Sequence, residues 1–116
     1  MIDLYVHAVV LDAKSPVALA RFWAEALGYE ANVQDEGWTW VTDPAGRRVR
    51  LSFQYEREPK AGSNRLHFDL KTHNVDAEVS RLTALGATVK REFREPEETV
   101  IVMRDPEGNE FCVCSL

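Results

Sequence analysis

The sequence predicts an α+β fold: two βαβββ modules that pair into a curved, half-open mixed sheet, with the helices outside and a central cleft. Three observations carry that prediction. The segment "RDPEGNEFCVCSL" at Arg104–Leu116 is a near copy of "TDPAGRRVRLSFQ" at Thr42–Gln54. Each copy follows an amphipathic run that ends in "ALG", at Gly28 and at Gly86. Each of those runs in turn follows a short apolar segment, "VHAVVLDA" or "RLHFDLKT". The order of parts is the same in both halves, and an internal repeat of this kind takes precedence over element-by-element assignment.

The elements follow from local chemistry. In the first helix Leu19, Phe22, Trp23, Ala26 and Leu27 recur at three- and four-residue spacing, the signature of one buried helical face. Ser15 is placed as its N-cap, Pro16 as its first residue and Gly28 as the left-handed residue that ends it. The second helix has Val75, Val79, Leu82 and Leu85 on one stripe and stops at Gly86. Strands precede and follow each helix, and Asp-Pro-x-Gly, opening at Asp43 and again at Asp105, supplies the turns. The spacing from glycine to this turn is four residues longer in the second half, absorbed by "REPEE". The polar, turn-rich stretch "EREPKAGSN" separates the halves. It places module 1 at about 1–57, a linker at about 58–63 and module 2 at about 64–116, within one domain.

Composition narrows the function. The chain has 116 residues, 45% hydrophobic and 28% charged, and matches a single folded domain of ordinary make-up. Its net charge of -5 disfavours phosphate backbones and anionic lipid, so neither nucleic acid nor membrane is an expected partner. No apolar run approaches a bilayer span and the first residues lack the pattern of a secretory signal, which points to the cytoplasm. Cys112 and Cys114, two apart on a strand, project in parallel and are expected as reduced thiols.

Strand alternation sorts the candidate site residues. Leu66, Phe68 and Leu70 form an apolar face expected to pack on a helix, which turns His67 into the cleft. Phe111 and Val113 do the same for Cys112 and Cys114, and Leu51 and Phe53 for Ser52 and Gln54. In the first strand, Leu4, Val6, Ala8 and Val10 read as the helix-packing face, which would put His7 in the cleft. Trp38 and Trp40 share a strand face and suit the walls of a small-molecule pocket, whereas Trp23 belongs to the core. His73 falls in the loop "KTHNVD" and is read as exposed.

The stretches "FWAEALGYE", "NRLHFDL", "LTALGATV" and "DPEGNEFCV" resemble the glyoxalase-like branch of the vicinal oxygen chelate superfamily, and the resemblance spans nearly the whole chain. That superfamily also contains glyoxalase I, extradiol dioxygenases and the fosfomycin and bleomycin resistance proteins, so it implies a fold more narrowly than a reaction. In its metal-dependent members a His or Glu of the first strand and a Glu of the last strand of each module hold a divalent ion. The resemblance places the module 2 histidine at His67, seven residues before Asn74, and the last-strand glutamate at Cys112, seven after Asp105. Glu110 lies two residues earlier on the same strand face. In module 1 the same count gives Ala8 rather than His7, and "VRLSFQ" offers Arg50, Ser52 and Gln54 but no carboxylate. A Zn²⁺, Mn²⁺ or Ni²⁺ site wants three or four converging donors, and this set is incomplete.

The reading is therefore a glyoxalase-like protein that binds a small organic molecule without the usual divalent metal and needs no cofactor. His67, Gln54 and Cys112 line the polar floor, Trp38 and Trp40 the walls. His67 is the candidate for proton transfer if the protein is an enzyme, because histidine titrates near neutral pH. Two alternatives stay open. One is a metal-dependent lyase or isomerase acting on a thiol adduct through His7, His67 and Glu110. The other is a drug-sequestering protein like the bleomycin-binding members, for which the resemblance implies a homodimer.

Overall fold

The computed structural model describes residues 2, 5–58 and 66–116. Nearly all of the expected linker, from residue 59 to 63, lies outside the described residues, as does Leu4. The chain divides into two compact units, Met1–Pro59 and Lys60–Leu116. The first unit runs β1 (Ala8–Ala13), α1 (Pro16–Leu27), β2 (Glu30–Asp35), β3 (Trp38–Thr42) and β4 (Arg50–Tyr55). The second runs β5 (Phe68–Thr72), α2 (Val75–Leu85), β6 (Thr88–Arg94), β7 (Thr99–Arg104) and β8 (Glu110–Ser115). Each is a βαβββ unit, and the fold is α+β as the repeat predicts. Hydrogen bonding organises the strands as two four-stranded mixed sheets, β1-β4-β3-β2 and β5-β8-β7-β6. In each unit the first strand is parallel to the last and the remaining pairs are antiparallel. No helix among the described residues is long and apolar enough to cross a membrane.

Local signals act where they are read. Ser15 is the N-cap of α1, its carbonyl accepting from the Leu19 amide at 3.0 Å, with Pro16 in the first turn. Gly28 ends the helix in the left-handed region at φ 70°, where a side chain would be strained. Asn74 caps α2 by accepting from the Ala77 amide at 3.1 Å, and Gly86 at φ 119° closes it. In both Asp-Pro-x-Gly turns the glycine amide donates to the aspartate carbonyl at 2.9 Å. The carboxylates organise the rest. Asp43 accepts from the amides of Ala45, Arg47 and Arg48, and Asp105 from those of Glu107 and Asn109.

One face of each sheet packs on its own helix. In the first unit Thr39, Val41, Leu51 and Phe53 are buried with Leu19, Ala20, Phe22 and Trp23 of α1. Trp23, 1% exposed, meets Phe22 edge-on at 5.1 Å between ring centres, a preferred aromatic geometry. It is a core residue, as its helix stripe predicts. In the second unit Ile101, Met103, Phe111 and Val113 are buried with Val75 and Leu82 of α2, while Leu85 stays exposed.

Two expectations about strand faces are corrected. In β1 the side chains that share the helix-facing side are Val9 and Leu11, which pair with Leu51 and Phe53; Ala8, Val10 and Asp12 pair with Arg50, Ser52 and Gln54 on the other side. The cause is the apolar run Ala8–Leu11, which has no two-residue period of its own, so the partner strand decides the face. Val6, expected on the helix, is 69% exposed. Leu66 is likewise 82% exposed ahead of β5, leaving Phe68 and Leu70 as the half-buried members of that face.

Candidate functional site on the helix-free sheet faces

Each sheet keeps one face that its own helix does not cover, and the polar and aromatic side chains of interest lie there. In the first unit, β3 contributes Trp38 and Trp40 at alternate positions, both half-buried, between the buried Thr39 and Val41. Trp38 pairs across the ladder with Gln54 and Trp40 with Ser52. On the opposite edge of β4, Gln54 pairs with Asp12, and the Gln54 amide donates to Asp12 Oδ1 at 2.8 Å. Arg50, at the start of β4, lays its guanidinium 4.8 Å from the Trp40 ring centre, within cation–π range. Ser52 between them is only 2% exposed. The face thus offers two aromatic surfaces flanked by a cation at one end and an amide–carboxylate pair at the other.

The second unit carries different chemistry at the equivalent place. Asp69 of β5 pairs with Cys112 of β8. His67, just ahead of β5, reaches Asp69 Oδ1 with Nε2 at 3.3 Å. The donor atoms of His67, Asp69 and Cys112 all lie within 4.8 Å of one another, the first two residues exposed and the cysteine half-buried. Burial pushes the Cys112 thiol above its ordinary pKa, and the Asp69 carboxylate adds to the rise through its charge and a hydrogen bond from the thiol. Cys114, buried beside it, is raised by burial and by Asp69, against the opposing charge of Lys71. Both thiols are free, and both are held protonated at neutral pH, which makes them poor nucleophiles. Glu110 is occupied by Lys90, whose Nζ lies 2.9 Å from Oε2.

The site residues read from the sequence are thus distributed over two faces. Trp38, Trp40 and Gln54 are brought together on the first sheet; His67 and Cys112 are brought together on the second. His7 precedes β1, is exposed, and falls in the same alternation as the helix-facing Val9 and Leu11, so it does not belong to the face of Trp40. His73 is exposed in the turn before α2. Three further residues complete the geometry: Arg50 and Asp69, which strand alternation already sets on these faces, and Asp12, which sequence reasoning passed over. A signal for Asp69 exists in "HFD", where alternate strand positions put His and Asp on one side. Asp12 could be found only through the parallel β1–β4 register. An open depression of about 790 Å³ between the start of α1 and the β2–β3 hairpin is lined by Lys14, Pro16, Arg21, Glu36 and Tyr55 among others. It includes none of these site residues.

The duplicated βαβββ order, with a helix-free face on each sheet, is the architecture that the sequence motifs imply, and a family model of the glyoxalase-like domain matches residues 8–114. The chain belongs to the glyoxalase-like domain family. No curated protein sequence matches it. Among solved structures it is similar to a glyoxalase/bleomycin resistance protein/dioxygenase family enzyme from Burkholderia phytofirmans PsJN, with 16% identity over 97% of this chain and 98% of that one and a TM-score of 0.79. A superfamily member from Sphaerobacter thermophilus shares 22% identity over 97% and 98% of the two chains, with a TM-score of 0.70. Lactoylglutathione lyase from Agrobacterium tumefaciens shares 19% over 96% and 92%, with a TM-score of 0.66. At these identities the likeness is one of fold.

The divalent metal that the superfamily resemblance implies does not fit the donor set of the first glyoxalase-like unit. The positions there are Ala8, Arg50, Ser52 and Gln54; the carboxylate beside them on β1, Asp12, is bound by Gln54. A guanidinium in the group repels a cation. In the second unit Glu110 is neutralised by Lys90, which leaves His67, Asp69 and Cys112 as the converging donors.

Proposed function

We propose that this glyoxalase-like protein binds a small planar organic molecule on the helix-free face of its first sheet, without the family's four-donor metal centre. The observation that supports this is the pair Trp38 and Trp40, half-buried side by side on a face that α1 does not cover. Aromatic surface with few polar groups is what a small-molecule site requires, and Gln54, held in place by Asp12, supplies a fixed hydrogen-bonding group beside it. The reading places the protein in the cytoplasm as a homodimer, which sedimentation of the purified chain tests. His67, with Nε2 turned to Asp69, is the residue to carry a proton should turnover accompany binding. The deciding experiment is a titration of intrinsic tryptophan fluorescence against planar aromatic compounds, on the wild type, Trp38→Phe and Trp40→Phe. Saturable quenching that weakens in both variants is expected. Quenching unaltered in either variant removes the reading.

A second reading has its own observation: three donors of mixed type within 4.8 Å of one another on β5 and β8 and the approach to them. A His, Asp and Cys set suits a borderline-soft ion such as Zn²⁺ or Ni²⁺, which would act as a Lewis acid for a lyase or isomerase. Metal content after incubation with Zn²⁺, Mn²⁺ or Ni²⁺ and desalting separates the two. About one retained ion per chain, lost in His67→Ala and in Cys112→Ala, would put this second reading first.

A further inference from the structure

We infer that the ligand of the first sheet is a planar aromatic or conjugated carboxylate, with Arg50 as the group that selects its charge; the inference rests on the binding reading above and names its ligand class. Four observations converge on it. Arg50 is half-buried at the start of β4, and among the described residues no carboxylate pairs with it. Lys90, the other half-buried basic residue among the described ones, is held by Glu110 at 2.9 Å. In a protein with 19 acidic and 14 basic residues, a half-buried guanidinium left without an acid is a cation kept for something else. Its place over Trp40, 4.8 Å from the ring centre, fixes it by cation–π attraction while leaving in-plane N–H groups for a ligand.

None of the described acids on the same face pairs with Arg50: Glu30, the ladder partner of Thr42, stands on the edge strand β2, two strands and about 10 Å from β4. Asp12 accepts from Gln54 and lies four residues along β1 from Ala8, the ladder partner of Arg50, about 13 Å away at the rise of a strand. The face is therefore polarised along β4. Arg50 marks the end where a negative group is favoured, Trp40 and Trp38 form the apolar middle, and the Gln54–Asp12 pair marks the end where a hydrogen-bond donor is favoured. A carboxylate matches the planar fork of arginine in two parallel hydrogen bonds, and the attached ring would continue over the indoles. A neutral or cationic aromatic compound would leave the guanidinium unanswered.

The test uses 2-naphthoate and its uncharged counterpart 2-naphthamide as probes, followed by the indole N–H signals of ¹⁵N-labelled protein. Three tryptophans give three such signals, and Trp23 in the core is an internal reference. Trp38→Phe and Trp40→Phe assign the other two. The expected result is that the Trp38 and Trp40 signals move while that of Trp23 does not, with naphthoate bound about tenfold more tightly than naphthamide, the order of one charge-assisted contact. That preference should fall below about twofold in Arg50→Gln and return in part in Arg50→Lys, which restores charge without the fork. Equal binding of acid and amide by the wild type overturns the carboxylate assignment and leaves the binding reading intact. The wild-type comparison decides even if Arg50→Gln folds poorly. If neither probe moves the Trp38 and Trp40 signals at any concentration, the assignment falls together with the binding reading.

Discussion

The Asp-Pro-x-Gly turn occurs twice in this chain, and the two copies differ in burial, which gives a prediction that can be worked through in numbers. Asp105 is 4% exposed. Its Oδ1 accepts from the Glu107 amide at 2.9 Å and the Asn109 amide at 3.0 Å, and its Oδ2 accepts from Asn109 Nδ2 at 2.9 Å. Asp105→Ala strands two backbone N–H groups in a part-buried turn. Each such loss costs about 1–2 kcal/mol, toward the lower part of the usual span because water can reach the rim of the turn, for a total of about 2–4 kcal/mol. With an unfolding entropy of about 2.1 cal/mol/K per residue, 1 kcal/mol moves the midpoint of a chain of 116 residues by about 4 °C, so the melting temperature should fall by about 8–16 °C. Asp105→Asn keeps an acceptor at Oδ1 and should lie between the wild type and the alanine variant. Asp43 makes the same turn with bonds from Ala45, Arg47 and Arg48 but stands in reach of solvent, so water replaces much of what Asp43→Ala removes, and its loss should be less than half as large. The assay is thermal and urea unfolding followed by circular dichroism, with the urea slope checked for constancy. Equal losses for Asp105→Ala and Asp43→Ala, or a loss below about 1 kcal/mol for the former, would refute the argument that burial sets the worth of these bonds.

The remaining predictions concern titrating groups. The Asp43 carboxyl is held below its ordinary pKa, first by the hydrogen bond from the Ala45 amide and further by those from Arg47 and Arg48 and the charge of Arg47. A carboxyl depressed on folding contributes stability that is complete above the unfolded value, near pH 4, and lost as pH falls through the lower folded value; the gap in melting temperature between wild type and Asp43→Asn should therefore be constant from about pH 7 to 5 and shrink below about pH 4. A gap that stays constant down to about pH 2 would contradict it. For Cys112, burial first and the Asp69 carboxylate second keep the thiol protonated. In a Cys114→Ser background, iodoacetamide should modify it at pH 7.5 more slowly than an unstructured cysteine peptide, at a rate that rises in Asp69→Asn. Faster modification than the peptide would show that this environment activates the thiol rather than quieting it.

What was legible in the chain is what local chemistry decides. The caps Ser15 and Asn74, the stops Gly28 and Gly86 and the two aspartate turns each act within a few residues of themselves, and so does the alternation that sets Trp38 and Trp40 apart from Thr39 and Val41. The face of β1 was not legible. Ala8, Val9, Val10 and Leu11 are all apolar, and only pairing with β4, some forty residues away in the sequence, decides which of them meet the helix. The same limit explains the site. Counting seven residues from each turn aspartate reaches Arg50 in one unit and Cys112 in the other, yet Arg50 opens β4 whereas Cys112 is the third residue of β8, which begins at Glu110. The loop after Asp43 is longer by two residues, so equal counts do not mean equal ladder positions. Asp12 beside Gln54 and Asp69 beside Cys112 are consequences of parallel register, which no local pattern announces.

Once the ladders are matched rather than the counts, the two units show how one scaffold was put to two uses. Ala8, Val10 and Asp12 oppose Arg50, Ser52 and Gln54 in the first sheet. In the second, Asp69 and Lys71 oppose Cys112 and Cys114, with Glu110 in the place of Arg50. The helix-facing positions kept the same kind of residue in both copies, because Phe53 and Leu51, like Val113 and Phe111, must fill space against a helix. The helix-free positions have no helix of their own unit to fit, and there the copies differ in charge sign, in aromatic content and in metal-donor chemistry. An arginine stands where the other unit has a glutamate already neutralised by Lys90; a buried serine stands where the other has a thiol. A fold whose stability lies on one face of each sheet leaves the opposite face free to change its chemistry, and in this chain the first face has become aromatic and cationic while the second has kept a histidine, a carboxylate and a thiol in reach of one another. The two faces should therefore respond to different probes: planar acids perturb Trp38 and Trp40 and leave His67 untouched, while soft cations perturb His67 and Cys112 and leave the indoles unmoved.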